Sequence, residues 1–166
     1  MVNRVSICIL FLSFIIAGCT QEFECADPQI QPAFIGFSSP DIDTFVIRKF
    51  KANGNYQTLL DTSMFIYGYS GPYYTSNDTT SVWVSNEENG IKAGFDWQIF
   101  IPAKNKTVFI SDINSEKTTG TCRTGIFSMD KFGCHCRNKV FSAKEDNQVI
   151  HFSNSDTGRI VIYIRN

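Results

Sequence analysis

Residues 95–101 read Phe-Asp-Trp-Gln-Ile-Phe-Ile, and this stretch decides the fold class. Successive side chains of a β-strand point to opposite faces, so period-two alternation predicts a strand with one buried face. The residues expected on that face are Phe95, Trp97, Ile99 and Ile101. A five-residue link leads to residues 107–113, where Val108 and Ile110 share a face. The two segments are therefore predicted to form a hairpin.

Outward from this hairpin, short apolar and β-branched runs alternate with turn residues. The further predicted strands are residues 44–50, 56–67, 81–85, 138–143, 148–152 and 159–165. Asn53-Gly54-Asn55 predicts a tight turn, because Asn and Gly tolerate positive φ. About eight short strands without a helical stripe predict an all-β fold. We expect an antiparallel two-sheet sandwich, immunoglobulin-like or a related Greek key, with a closed barrel as the alternative.

The first and last strands differ in their expected positions. Residues 33–37 lie among Pro28, Pro32 and Pro40, and proline disfavours central strands, so this segment is predicted as a short edge strand. Residues 159–165 are apolar on both faces, with isoleucines on one face and Val161 and Tyr163 on the other. That pattern predicts a strand in the interior of a sheet.

The N-terminal 18 residues have the three parts of an export signal. Arg4 is followed by an apolar run, and residues 12–19 read Leu-Ser-Phe-Ile-Ile-Ala-Gly-Cys. The run of about 13 residues is shorter than the roughly 20 that a membrane-spanning helix needs. Small residues directly before Cys19 resemble the lipobox of bacterial lipoproteins. This resemblance implies cleavage before Cys19 and fatty acylation, including palmitate, at Cys19.

Length and charge limit the number of domains and the kinds of partner expected for the part of the chain that remains after such cleavage. Removing residues 1–18 from the 166-residue chain leaves 148 residues, enough for one domain with a core. The removed segment carries one arginine and no acid, so the formal charge changes from −1 to −2. Without a basic run, nucleic acid is not an expected partner. The predicted organisation is a signal peptide at 1–18, a lipidated tether at 19–40 and a β-sandwich domain at 41–166.

The whole layout resembles small envelope lipoproteins of Bacteroidota-type bacteria. The shared features are the lipobox, a proline-bearing tether, an all-β domain of this size and cysteines late in the chain. The resemblance implies a lipid anchor in the bacterial outer membrane, with the domain facing either the periplasm or the outside. Acidic Glu22, Glu24 and Asp27 resemble a surface-export signal but leave both orientations open. The resemblance carries over no catalytic residues.

Four cysteines accompany Cys19 in the exported part of the chain: Cys25, Cys122, Cys134 and Cys136. An even number in an oxidising compartment predicts disulfides. Cys134 and Cys136 are expected to pair separately, with Cys25 and Cys122 as partners in either combination. A metal site built from Cys122, Cys134, His135 and Cys136 is one alternative, although its spacing is atypical of structural zinc. Unpaired thiols are the other alternative.

No constellation for catalysis emerges from the sequence. There is no Gly-x-Ser-x-Gly elbow, no His-Glu-x-x-His pair and no phosphate-binding glycine loop. His151 is interpreted as a packed or surface residue. The adjacent carboxylates at 87–88 and 145–146 are interpreted as solvated turn charges. The sequence therefore predicts a protein that is not an enzyme and needs no cofactor.

Aromatic residues form the most distinctive candidate for ligand binding. They are Tyr67, Tyr69, Tyr73, Tyr74 and Trp83. Tyrosine in a loop offers flat apolar area with a polar tip, which suits sugar rings or a protein partner. The alternative interpretation is that the loop covers one end of the core. Nearby, Asp78-Thr79-Thr80 resembles a short acceptor motif for O-glycosylation.

Two functions follow as predictions. The first is a membrane-anchored envelope lipoprotein whose β-sandwich is a non-enzymatic interaction or structural module. The second is a carbohydrate-binding accessory lipoprotein that uses the aromatic residues between positions 67 and 83. Both have the membrane as a partner through Cys19, with a glycan or an envelope protein as the further partner.

Overall fold

A computed structural model describes residues 19–66, 73–82, 90–124, 136–152 and 160–166. Twelve strands run through these residues, joined by turns and by two short 3₁₀ segments at Ser39–Asp41 and Pro102–Lys104. In chain order the strands are β1 (Cys19–Glu24), β2 (Ile30–Ile35), β3 (Thr44–Lys51), β4 (Leu59–Ile66), β5 (Tyr73–Ser76), β6 (Thr79–Val82), β7 (Phe95–Ile101), β8 (Lys106–Glu116), β9 (Thr119–Thr124), β10 (Lys139–Glu145), β11 (Gln148–His151) and β12 (Ile160–Arg165).

The chain divides into two compact units. The ribbon unit consists of the described residues within Met1–Ala26 and Lys117–Arg137, and the sandwich unit of those within Asp27–Glu116 and Asn138–Asn166. The segment predicted as a tether at 19–40 thus contains two strands, one in each unit. The predicted signal peptide lies outside the described residues. The described part of the chain has no helix with the length and apolar character needed to cross a membrane.

The sandwich unit confirms the predicted all-β sandwich. One sheet has the order β11-β10-β8-β7-β3-β4, and the other has the order β12-β2-β6-β5. The hairpin predicted from residues 95–113 forms with Trp97 opposite Ile110 and Ile99 opposite Val108. Trp97, Ile99 and Ile101 are each at most 1% exposed, and Phe95 packs against the edge of the core. The strand that decided the fold class therefore lies where its alternation predicts.

Aromatic side chains join the two sheets across the core. Phe34 of β2 lies 5.1 Å from Phe45 of β3, measured between ring centroids. Phe45 in turn stacks on Phe65 of β4 at 4.9 Å, with ring planes only 6° apart. All three residues are at most 5% exposed. This row places the centre of the core between β2 and the β3–β4 pair.

One polar position of β7 is buried, because a turn covers it. Asp96 is 5% exposed, and its carboxylate accepts hydrogen bonds from the backbone N–H groups of Asn53 and Gly54. Asn53, Asn55 and Tyr56 all have positive φ, which confirms the predicted turn. Desolvation raises the pKa of Asp96, and the backbone donors partly offset that rise.

The sequence predictions for the first and last strands of the sandwich are both wrong. β2 is interior, between β12 and β6, whereas β12 lies at the edge of the sheet. β12 also runs parallel to β2, so this sheet is mixed rather than purely antiparallel. Tyr163, expected in the interior of a sheet, is 53% exposed. The outer face of β12 is therefore apolar in composition but open to solvent.

Pro32 is compatible with an interior strand because of the direction of its nitrogen. N–H groups alternate between the two sides of a strand. The N–H of Ile30 faces away from β12 and donates to the Ile91 carbonyl at 2.8 Å. The carbonyl of Ile35 faces the other way and accepts from the backbone N–H of Asn166 at 3.0 Å. The nitrogen of Pro32 therefore faces the β6 side, where pairing with β6 begins only at the next residue. No hydrogen bond to β12 is lost.

Candidate functional site

The predicted anchor residue opens the ribbon unit. β1 and β9 are antiparallel, with Cys19 opposite Thr124 and Phe23 opposite Gly120. The pairing continues past the strands, since the N–H of Cys25 donates to the Thr118 carbonyl at 3.1 Å. Residue 19 is thus the first residue of a paired strand.

A disulfide closes the ribbon unit. Cys25 is bonded to Cys136, with their Cα atoms 5.0 Å apart and Cys25 only 7% exposed. This bond is one of the pairings that the sequence left open. Cys122 lies in β9 opposite Gln21, and Cys134 lies outside the described residues. A sulfur in a disulfide is not a thiolate ligand, so the predicted alternative of a metal site loses Cys136.

Gly120 makes room for the disulfide. A Cβ atom at this position would lie 2.6 Å from Sγ of Cys136 and 2.9 Å from Cζ of Phe23. The ring of Phe23, directly across the ribbon, therefore covers the glycine backbone next to the bonded sulfur. Close packing around the disulfide depends on the missing side chain.

The structure gives a partial view of the aromatic candidate. Tyr67, Tyr69 and Trp83 lie outside the described residues. Tyr73 and Tyr74 are the first two residues of β5, at the edge of the four-stranded sheet.

The proposed glycosylation motif lies at the turn between β5 and β6. Asn77 there has a φ of 54°. The hydroxyl of Thr79 donates to the carboxylate of Asp78 at 3.4 Å, and Thr79 is partly exposed. Thr80 is 6% exposed, and its hydroxyl lies 3.1 Å from that of Thr75. Of the two threonines, Thr79 is therefore the one that solvent reaches.

A cleft in the sandwich unit is the strongest candidate site that the structure adds. It has a volume of about 860 Å³ and lies between the start of β8, the β10–β11 hairpin and β12. Its apolar lining comes from both sheets: Val108, Ile150, Phe152, Ile160 and Ile162. Val108 and Ile162 belong to the core and are each only 1% exposed, whereas Ile150 and Phe152 are partly exposed, so the cleft ends against the side of the hydrophobic layer.

Charged side chains surround one end of this cleft. Nζ of Lys106 donates to the carbonyl oxygen of Arg165 at 2.5 Å. Burial raises the pKa of Glu145, Asp146 raises it further, and the positive charges of Lys106 and Arg165 lower it. The carboxylate of Asp146 accepts the Phe109 N–H at 2.8 Å and is thereby held against β8.

The free edge of β12 forms one wall of the cleft. Asn166 N–H donates to β2, so even-numbered residues at this end of the chain face β2. Alternation then turns the backbone groups of Val161, Tyr163 and Arg165 toward the cleft. The bond from Lys106 to the Arg165 carbonyl agrees with this direction. The N–H and C=O groups of Val161 and Tyr163 form no hydrogen bond with another described residue.

The chemistry of the cleft is that of binding. Apolar surface, unpaired backbone groups and a few charges can hold a ligand in a defined orientation. In the described ranges no three histidine, cysteine, aspartate or glutamate side chains are arranged to bind a metal ion.

Sequence reasoning missed the cleft, and none of the predicted site residues that the structure describes lines it. His151, interpreted as a packed or surface residue, is exposed at the rim. Lys106, Glu145 and Arg165 are far apart in sequence and carry no motif. The one sequence feature that could have indicated a cleft is the last strand, because apolar residues on both of its faces favour contact with a further segment. Comparisons with protein families, with curated proteins and with solved structures give no match.

Proposed function

We propose that the chain is a lipid-anchored envelope protein of the bacterial outer membrane whose sandwich is a non-enzymatic binding module. The observation that carries the proposal is the disulfide between Cys136 and the buried Cys25, which lies six residues after the expected anchor. Disulfides persist in oxidising compartments, and the sequence Leu-Ser-Phe-Ile-Ile-Ala-Gly-Cys at 12–19 resembles a lipoprotein export signal. The cleft between β11 and β12 supports a role in binding.

The anchor is tested by Cys19→Ser. We expect the wild-type protein to partition into the detergent phase and to carry the added mass of fatty acyl chains, because two chains hold a protein stably on a membrane. Cys19→Ser removes the acylated sulfur and should leave the protein unprocessed and without that mass. Cys8→Ser, inside the predicted signal peptide, is the matched control and should behave as wild type. Retention of the acyl mass in Cys19→Ser would contradict the anchor.

Carbohydrate binding stays the second proposal. Its support is the sequence of the aromatic region and the place of Tyr73 and Tyr74 at a sheet edge. Aromatic faces stack on sugar rings, so alanine at either position should weaken binding on a glycan array. An array without signal would remove this proposal and leave the first one intact.

A further inference from the structure

We propose that the free edge of β12 binds an extended polypeptide segment of a partner protein, which adds to the four-stranded sheet as a further strand. The segment has apolar side chains at alternate positions and an acidic side chain at the end beside Lys106 and Arg165. This inference rests on the binding-module part of the proposed function and is independent of the lipid anchor.

The backbone of β12 supplies the first argument. Val161 and Tyr163 direct N–H and C=O groups into the cleft, on the side away from β2. Unpaired groups in a row along an edge strand are a template for another strand. Peptide recognition by strand addition uses such groups for affinity and side-chain pockets for specificity.

The lining of the cleft supplies the second argument. A strand next to β12 would direct every second side chain toward the layer between the two sheets. At the cleft that layer presents the partly exposed side chains of Ile150 and Phe152, next to the buried Val108. The volume of about 860 Å³ lies within the range of ligand sites and accepts several aliphatic side chains. An apolar side chain at alternate positions of the partner therefore fits the cleft.

Charge supplies the third argument and fixes one end of the partner. Lys106 and Arg165 carry two positive charges at the end of β12, and no described carboxylate lies within ion-pair distance of either. Glu145 faces both at longer range, and the Asp146 carboxylate is engaged by the Phe109 N–H. One further negative charge at this end would balance the two cations.

Another edge of the sandwich is less suited to this role. β4 exposes Leu60, Met64 and Ile66, but the carboxylate of Asp61 accepts the N–H of Thr62 at 2.7 Å. That bond occupies a donor that an added strand would need. Charged side chains on edge strands commonly prevent such pairing. β12 has no equivalent carboxylate in its own sequence.

The first test uses a probe peptide of about seven residues, with valine and threonine alternating and a terminal glutamate. Binding of the fluorescein-labelled peptide to the purified whole protein is followed by anisotropy. N-methylation of either the valine amides or the threonine amides removes the donors on one edge of the peptide. We expect one methylated set to abolish binding and the other to leave it within about twofold, since only one edge faces β12. Equal effects of both sets, or no binding by the parent peptide, would overturn the inference.

The second test changes the protein. Tyr163→Pro removes an N–H that faces the cleft without removing a bond to β2, so the fold should persist and affinity should fall by about tenfold or more. Tyr163→Ala keeps the backbone donor and is the matched control, with affinity within about threefold of wild type. Equal affinities of the two variants would contradict strand addition. If Tyr163→Pro fails to fold, the methylated peptides alone decide the question.

Two further outcomes test the identity of the added strand and the charge at its end. A dimer in sedimentation that Tyr163→Pro dissociates would replace the partner segment by a second copy of the chain and overturn the inference as stated. Unchanged affinity when the terminal glutamate of the probe is replaced by glutamine would overturn the acidic end. The detergent-phase result for Cys19→Ser tests the anchor separately, so failure of the peptide and failure of the anchor are distinguishable.

Discussion

Gly120 shows how one missing side chain permits a covalent link. Its position in β9 is opposite Phe23, and the aromatic ring and the sulfur of Cys136 together fill the space that a Cβ would take. Glycine costs stability in a strand interior, because it loses more backbone entropy on folding than other residues. At Gly120 the absence of a side chain compensates for that cost, because it allows the ribbon and the disulfide to pack closely.

We expect Gly120→Ala to destabilise the ribbon unit by about 1–3 kcal/mol, the usual cost of overpacking. The new methyl group would lie 2.6 Å from Sγ of Cys136, so a larger fraction of free thiol should also appear at these cysteines. Thiol labelling followed by mass spectrometry measures that fraction. Gly90→Ala is the control, because the three atoms nearest its Cβ all belong to the flexible side chain of Gln29. Equal effects of the two substitutions would refute the packing argument.

Glu145 makes a pH-dependent contribution at the cleft. Its pKa is raised from the ordinary value of 4.5, mainly by burial, so the folded state favours the protonated carboxyl group more than the unfolded state does. The stability that this preference contributes is present below the unfolded pKa and is lost as the pH rises through the folded pKa. At neutral pH the partly buried Glu145 carboxylate therefore lowers the free energy of unfolding.

Glu145→Gln should accordingly raise the unfolding temperature at pH 7, and the gain should shrink toward zero below about pH 4.5. Thermal denaturation at a series of pH values tests this expectation. Glu116→Gln, at the exposed end of β8, controls for the general effect of removing one negative charge. A gain at Glu145 that is constant across the pH series would show that charge burial is not its cause.

At the scale of single strands, the sequence predicted which segments pair locally. The β7–β8 and β3–β4 hairpins follow from apolar patterning and turn residues, because the two strands of each are close in sequence. Burial of Asp96 was not predictable from β7 alone, since the turn at residues 53–56 covers it. Local pattern therefore specified the strands but not every environment along them.

Edge and interior positions could not be predicted, because they depend on partners distant in sequence. β2 pairs with β12, and more than a hundred residues separate them. Pro32 favoured an edge position for β2. A proline removes a ladder hydrogen bond only on the side that its nitrogen faces, and the register of β2 determines that side. The two-sided apolar pattern of β12 favoured an interior assignment, yet its outer edge forms a wall of the cleft.

At the scale of the whole molecule, the candidate site could not be predicted either, because it too depends on segments that are distant in sequence. The cleft combines the start of β8, the β10–β11 hairpin and β12, so no single stretch of sequence carries it. The disulfide was more accessible to prediction, because the export signal that the sequence predicts and an even cysteine count restrict the options. The place of Cys136 beside Cys25 depends on the bridge between Ala26 and Arg137, which no local sequence pattern predicts.

The Cys25–Cys136 bond should stabilise the ribbon unit more than the sandwich unit. A two-stranded ribbon is marginal by itself, so a covalent bond directly after its last paired residues contributes a large share of its stability. In a Cys25→Ser/Cys136→Ser variant, amide hydrogen exchange should accelerate in β1 and β9 while β7 and β8 keep their protection. Wild-type protein measured in parallel is the reference. Uniform acceleration in all four strands would show that the two units unfold together.

The position of the disulfide also sets a mechanical limit. Force applied at Cys19 can separate β1 from β9 only as far as Cys25, which releases six residues, or about 20 Å of extended chain. Beyond that point the covalent bond bears the tension and passes it along the two shortest covalent paths into the sandwich unit. One path enters the sandwich unit at Asp27 and the other at Asn138, and their side chains are hydrogen-bonded at 2.7 Å. A pull on the first residue of the ribbon is thus shared by two attachment points, and the slack before it reaches them is short.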